Sequence, residues 1–133
     1  MDFGETSIFH LSKFIIDSPQ KIIIMAYLFL TAAILCDVGA TFALKASDEF
    51  KELFPSFLVV AGYIGAFYFM TLALRNLTLG TVYATWSGIG IILVALVGFA
   101  FYKEKLDWIA IVGMLLIVAG VVCMNLLSET NTQ

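Results

Sequence analysis

The sequence contains little charge and few of the residues that catalytic sites use. Of its 133 residues, 13% are charged, and histidine occurs once, at His10. The motifs CxxC, HExxH, GxxxxGK[ST] and GxSxG are all absent from the sequence. The usual parts of a zinc centre, a phosphate-binding loop and a nucleophile elbow are therefore missing. We expect no enzymatic activity, no metal site and no cofactor.

Basic residues are also scarce. Seven lysines and arginines against ten acidic residues give a formal net charge of −3, and the basic residues form no cluster. Nucleic acid is therefore not an expected partner. The two cysteines, Cys36 and Cys123, lie far apart in apolar segments, so they indicate neither a disulfide framework nor a redox role.

What the sequence does contain is apolar side chains. They make up 62% of the residues, and the mean hydropathy is +1.02, whereas a soluble domain is about 45–50% apolar. Four stretches approach or exceed the length of about 20 residues that a membrane-spanning helix needs. Because backbone groups in lipid must be satisfied within the chain, the sequence predicts an all-α membrane protein with four transmembrane helices. The predicted spans are about 22–44, 57–74, 81–102 and 108–127.

The four spans form one predicted four-helix domain, residues 21–128. Asp107, immediately before the fourth span, is a typical helix N-cap. A C-terminal tail follows at 129–133 and an N-terminal tail precedes at 1–20. The N-terminal tail is either disordered or a short interfacial helix with one apolar stripe. That stripe would contain Ile8, Phe9, Leu11 and Ile15.

Positive charge is balanced between the two sides of the predicted bundle. With four spans, three basic residues fall on one side of the membrane and four on the other, so the positive-inside rule gives almost no bias. A chain with this balance can insert in both orientations. The basic residues are Lys13, Lys21 and Arg75 on one side, and Lys45, Lys51, Lys103 and Lys105 on the other.

One acidic residue, Asp37, interrupts the first span. No lysine, arginine or histidine lies within any of the four spans. A carboxylate at a helix centre costs at least about 2.5–3.5 kcal/mol on insertion scales, and such residues usually face a bundle interior or a cavity. Its countercharge would then be a proton or a cationic ligand. The structural alternative is a hydrogen bond that holds two helices together.

Small and aromatic residues are predicted to surround Asp37. Ala33, Ala40 and Thr41 lie three or four residues away on the same helical face, and Leu30 lies one turn further. Aromatic rings attract cations by about 0.5–2 kcal/mol each. Any one ring alone is more typical of packing or of an interfacial belt, but together with a lone acid they predict a site for an aromatic or quaternary cation. The rings are Tyr27, Tyr63, Phe67, Tyr83 and Trp86.

The fourth span carries a possible dimer contact. Gly113 and Gly120 are seven residues apart, a spacing that lets two helices approach closely. The second span has small residues four apart as well, Ala61 with Gly65 and Gly62 with Ala66. Packing within one chain is the alternative for the fourth-span glycines. Because four helices barely enclose a chamber, we favour a dimer.

From about Tyr27 to Ser128 the chain resembles the small multidrug resistance family. The resemblance is carried by AILCDV around Asp37, LK at 44–45, FPS at 54–56, GTVYATWSGIGI at 80–91, LD at 106–107 and NLLS at 125–128. It implies an antiparallel homodimer in the inner membrane of a prokaryote, a proton-coupled antiporter. The implied partners are protons, cationic aromatic or quaternary ammonium compounds, the lipid bilayer and a second copy of the chain.

The resemblance also implies roles for individual residues. Asp37 takes the position of the family's essential carboxylate, Trp86 that of its key tryptophan and Tyr83 that of its gating tyrosine. Further substrate-pocket positions fall on Tyr27, Leu30, Ala33, Thr41, Tyr63 and Phe67. The kink glycines of the third helix fall on Gly88 and Gly90, and the dimer contact of the fourth helix falls on Gly113 and Gly120.

Two positions distinguish this chain within the family. The family normally has glutamate where this chain has Asp37, and aspartate holds its carboxylate one methylene closer to the backbone. Guanidinium exporters carry a tryptophan where this chain has Ala40, which favours the multidrug branch. The alternatives are a narrower exporter of a polyamine, betaine or guanidinium compound, half of a heterodimeric pair, and an assembly subunit without transport activity.

Overall fold

The computed structural model describes residues 3–128 and consists of four helices joined by short loops. Each of the four contains a segment long and apolar enough to cross a membrane. The predicted all-α architecture with four spans is therefore confirmed. The predicted C-terminal tail, 129–133, lies outside the described residues. The helices are α1 (Phe3–Ala46), α2 (Leu53–Ala73), α3 (Leu79–Tyr102) and α4 (Trp108–Leu126).

Helix α1 is much longer than the predicted first span. It has 44 residues and continues through Pro19 without a break, which makes it about 66 Å long at 1.5 Å per residue. Its apolar membrane-crossing segment is Pro19–Ala46, and a hydrocarbon core is only about 30 Å thick. The N-terminal part continues the same helix, whose total length exceeds the thickness of the core, and an interfacial position for the residues before Lys21 stays a prediction. Of the predicted stripe, Ile8, Phe9 and Leu11 are exposed, and Ile15 lies outside the described side chains.

Side-chain caps and left-handed residues set the ends of α3 and α4. The hydroxyl of Thr78 accepts a hydrogen bond from the Thr81 backbone N–H, and the Asp107 carboxylate accepts one of 2.8 Å from the Ala110 N–H. Asp107 therefore caps α4 as the sequence predicts. Helix α3 ends at Tyr102, and the φ of 53° at the following residue, Lys103, directs the chain back over the last turn of the helix.

The apolar core lies mainly between α1 and α2. Its buried members are Ala26, Leu30, Ala33, Ile34, Met70, Ala73, Leu77 and Val82. The two helices are in close contact at Gly62, where an added methyl carbon would lie 2.8 Å from the Ala40 Cβ. Gly65 faces Cys36 in the same contact. Gly62 and Gly65 therefore pack against α1 within the chain, and a dimer contact through the small residues of α2 stays a prediction.

Helix α4 is attached differently from the others. It packs against α3 at Gly88, where an added methyl carbon would lie 2.5 Å from Val121 Cγ2 and 3.1 Å from Ile117 Cγ2. No residue of α4 is buried within the chain. One face of α4 is thus held by α3, and the rest of its apolar surface is available to lipid or to another chain.

Candidate functional site

Asp37 lies on α1 beside a cavity of about 400 Å³ that opens against α3. The side chain is partly buried, and within residues 3–128 its carboxylate has neither a hydrogen-bond partner nor an ion-pair partner. Leaving a carboxylate unpaired in an apolar region is costly, so the arrangement is suited to binding a proton or a cation. The other residues that line the cavity are Trp86, Ser87, Gly90, Ile91, Val94, Ala95 and Glu104.

The space beside the carboxylate depends on Gly90. A methyl carbon added at this residue would lie 3.7 Å from Asp37 Oδ2, so the absence of a side chain leaves the carboxylate accessible. Gly88 points elsewhere, against α4. Helix α3 runs without interruption from Leu79 to Tyr102, and here the two glycines provide space for a cavity and for a helix contact. Their role as kink residues stays a prediction.

Trp86 on α3 lines the cavity beside Asp37, whereas Tyr83 on the same helix does not. Their rings make an edge-to-face contact with centroids 5.5 Å apart. The indole Nε1 of Trp86 is buried and has no hydrogen-bond partner among the described residues. Tyr83 is 48% exposed. An indole that lines the same cavity as Asp37 places an aromatic surface and a carboxylate around one space, which is the chemistry of a cation site.

Thr41 and Tyr63 join α1 to α2 one turn beyond Asp37. The Thr41 and Tyr63 hydroxyls lie 3.2 Å apart, within hydrogen-bonding distance. Thr41 lines a second, smaller cavity and does not line the one beside Asp37. The structure therefore brings these two predicted residues together, but at the neighbouring cavity.

Tyr27 is directed towards α4. Its hydroxyl donates a hydrogen bond of 2.5 Å to Asn125 Oδ1, and Asn125 Nδ2 donates one of 2.8 Å to the Thr85 hydroxyl. This network connects α1, α3 and α4. The sequence analysis did not assign Asn125 a role, although it is the one amide side chain within the fourth predicted span, which is the signal that could have identified it.

The remaining predicted residues do not line the Asp37 cavity within a single chain. Leu30 and Ala33 lie in the apolar core between α1 and α2, and Phe67 is 54% exposed on α2. Gly113 and Gly120 have open space where a side chain would be. A substrate role for the first three and a dimer role for the two glycines stay predictions.

Glu104 is a functional candidate that the sequence analysis missed. It lines both cavities, the one beside Asp37 and a second of about 80 Å³. It forms an ion pair with Lys45, and the Lys45 ammonium lies 4.3 Å from the centroid of the Tyr102 ring. The charged segment KEKLD is typical of a solvated loop, and nothing in its sequence predicts that Glu104 folds back over α3.

Comparison with known proteins places the chain in a family. The model described as Small Multidrug Resistance protein matches residues 25–117. The chain is 50% identical over 107 residues to the quaternary ammonium compound-resistance protein QacF of Klebsiella aerogenes, covering 80% of this chain and 97% of QacF. It is 47% identical over 103 residues to the multidrug resistance protein EbrA of Bacillus licheniformis, covering 77% of this chain and 98% of EbrA.

A third relative is the multidrug transporter EmrE of Escherichia coli, 40% identical over 105 residues, covering 79% of this chain and 96% of EmrE. These relatives are bacterial resistance proteins and transporters, which confirms the prediction that the chain is not an enzyme. The family match also confirms the resemblance drawn from the sequence. The chain belongs to the Small Multidrug Resistance family of multi-pass transporters of the bacterial inner membrane.

Proposed function

We propose that this protein exports lipophilic and quaternary ammonium cations in exchange for protons, and that the two compete for Asp37. The observation that carries the proposal is the unpaired Asp37 carboxylate beside a cavity that Trp86 also lines. A cavity of about 400 Å³ lies in the size range of sites for small organic molecules. The names of QacF and EmrE agree with a cationic substrate.

Competition for one carboxylate is sufficient to couple the two fluxes. A protonated Asp37 has no net charge to offer a cation, and a cation-bound Asp37 has no free carboxylate charge to offer a proton. A site that alternates between the two sides of the membrane therefore carries either ligand, but not both together. A proton gradient then drives the cation in the opposite direction.

We further propose that the functional unit is an antiparallel homodimer. The balanced basic residues of the loops support insertion in both orientations. Helix α4, with no buried residue and with open space at Gly113 and Gly120, supports an interface on that helix. Two copies would bring two Asp37 carboxylates to one chamber, where they titrate as a coupled pair.

The substitution Asp37→Asn tests the exchange. In liposomes that contain the purified protein, a pH gradient should drive uptake of a quaternary ammonium into wild-type vesicles, and Asp37→Asn should reduce this uptake to the level of protein-free vesicles. Addition of tetraphenylphosphonium to detergent-solubilised wild-type protein should release protons, and the variant should release none. The amide keeps the size of the side chain but removes its titratable charge.

Asp107→Asn is the matched control. It makes the same chemical change at an exposed N-cap, where asparagine caps as well as aspartate does. This variant should retain coupled uptake and proton release. Coupled uptake by Asp37→Asn at the wild-type rate would contradict the proposal.

A further inference from the structure

The ammonium group of Lys45 occupies a place that has the chemistry of a second cation site. It pairs with the Glu104 carboxylate and lies 4.3 Å from the centroid of the Tyr102 ring. A carboxylate combined with an aromatic face is suited to an alkylammonium ion. Asp37 and Trp86 provide the same two groups at the inner cavity. Lys45 thus resembles a substrate that is tethered to the protein.

The backbone holds Glu104 in this position. Lys103 adopts a left-handed conformation, and the Glu104 N–H donates a hydrogen bond of 3.1 Å to the Gly98 carbonyl, so the loop folds back onto α3. The carboxylate then lies over Gly98, where an added methyl carbon would be 2.5 Å from Glu104 Oε2. The Tyr102 ring is held by a hydrogen bond of 3.2 Å from its hydroxyl to the Phe42 carbonyl.

The position is also connected to the inner cavity. Glu104 and Val94 line both the cavity beside Asp37 and the smaller cavity that Lys45 and Tyr102 line. A cation held by Glu104 is therefore already at the boundary of the space that leads to Asp37. Lys45 is the penultimate residue of α1, so this boundary lies at the end of the bundle next to the first and third loops.

The Lys45–Glu104 pair is exchangeable. The two side chains are 47% and 53% exposed, and ion pairs with this degree of exposure contribute little to stability because water and salt screen them. A free cation can therefore replace the lysine without unfolding the site. What opposes replacement is the tether, which holds the ammonium at an effective concentration on the order of millimolar.

We propose that Glu104 and Tyr102 form an outer binding site for alkylammonium cations, which Lys45 occupies until an incoming cation displaces it. The site's place on a route to Asp37 rests on the export function proposed above, whereas the binding itself does not. The site would favour compact alkylammonium ions over aromatic cations, because Tyr102 presents one ring face and the cavity beside it is small, about 80 Å³.

Binding in an Asp37→Asn background isolates the outer site, because the inner carboxylate is then absent. The probe is radiolabelled tetraethylammonium, measured by equilibrium dialysis with detergent-solubilised full-length protein. Adding Lys45→Gln should strengthen binding about tenfold, since the competing ammonium is removed. Adding Glu104→Gln or Tyr102→Leu to that protein should abolish the gain. Lys45→Arg, which keeps the positive charge, should not produce it.

Lys105→Gln is the matched control, because it removes one positive charge from the third loop, next to Glu104 in sequence, and leaves the Lys45–Glu104 ion pair intact. Thermal melting shows that each variant is folded, and Lys45→Met replaces Lys45→Gln if the latter is not. An equal gain from Lys105→Gln, or no gain from either Lys45 variant, would overturn the outer site. Coupled uptake by Asp37→Asn would contradict the export function and leave this binding result unaffected.

Discussion

The open space beside the Asp37 carboxylate depends on a side chain that the facing helix lacks. The Asp37 side chain is short, yet the carboxylate reaches open space because Gly90 on the facing helix has no side chain to fill it. Trp86 lines the same space, and its Nε1 makes no hydrogen bond within the described chain. The site therefore combines one charge, one indole and an empty volume. Each of these can be changed separately.

Substitution of Trp86 by phenylalanine should weaken the binding of aromatic cations. The indole face attracts a cation more strongly than a benzene face, and such contacts are worth about 0.5–2 kcal/mol, or about twofold to thirtyfold in affinity. Since Nε1 has no partner, its removal leaves no polar group of the described chain unpaired. Tetraphenylphosphonium should lose more affinity than tetramethylammonium in a titration of the purified protein. Equal losses for both cations would argue against a cation–π role.

The sequence was informative about Asp37, Trp86 and Gly90 because each departs from its surroundings in a way that needs no tertiary knowledge. An acid in an apolar helix is costly, and an indole with a glycine four residues later marks one helical face. Glu104 and Asn125 were not predicted as functional candidates, because each is identified only by its contact with a residue of another helix. Glu104 pairs with Lys45, and Asn125 accepts a hydrogen bond from Tyr27. Which residues pair in this way depends on the register between helices, and the periodicity along one helix gives no information about that register.

Helix α3 packs against α4 on one face and borders the Asp37 cavity on another. At Gly88 it touches α4, where Val121 and Ile117 leave no space for a methyl group, and at Gly90 it borders the Asp37 cavity. The helix ends were accessible to prediction at Asp107, which is a standard N-cap. The length of α1 was not, because nothing in the residues before Pro19 indicates that they continue the first span as one helix.

The substitutions Gly88→Ala and Gly90→Ala should therefore have different effects although they lie two residues apart. At Gly88 the added methyl carbon would meet Val121 Cγ2 at 2.5 Å, and overpacking of this kind costs about 1–3 kcal/mol. At Gly90 it would lie at an ordinary contact distance of 3.7 Å from Asp37 Oδ2 and would narrow the cavity. Gly88→Ala should lower the thermal melting temperature of the protein in detergent.

Gly90→Ala should leave the melting temperature nearly unchanged and reduce the affinity for a bulky cation more than for a small one. Each variant is the control for the other, because the chemical change is the same. A large loss of stability in Gly90→Ala, together with unchanged stability in Gly88→Ala, would mean that the two faces of α3 are assigned the wrong way round.

A single chain borders the cavity beside Asp37 on one side only. The cavity beside Asp37 is bordered by α1, α3 and the third loop, while α4 stands at the edge of the bundle with its apolar surface exposed. Leu30, Ala33 and Phe67 do not line the cavity in this arrangement. An assembly of two chains would close the space and would give the exposed surface of α4 a partner.

Bulky substitutions at Gly113 and Gly120 should separate the proposed dimer without unfolding the chain. An added methyl carbon meets no atom within 4 Å at either residue, so Gly113→Leu and Gly120→Leu should preserve the helical signal in circular dichroism. Crosslinking in mild detergent should show a shift from dimer to monomer. Leu115→Phe adds bulk on the other side of α4, given 3.6 residues per turn, and should not produce the shift. A dimer that persists in both glycine variants would place the interface elsewhere.

The unbroken helix that carries Asp37 is also a mechanical lever. From Asp37 back to Gly4 the rod extends over 33 residues, about 50 Å. A stiff rod converts a small tilt near one point into a wide sweep at its far end, so a tilt of about 10° would move that end by about 9 Å given this rise per residue. Any rocking of α1 during transport would therefore be magnified outside the bilayer, where a spectroscopic probe or an antibody can reach it.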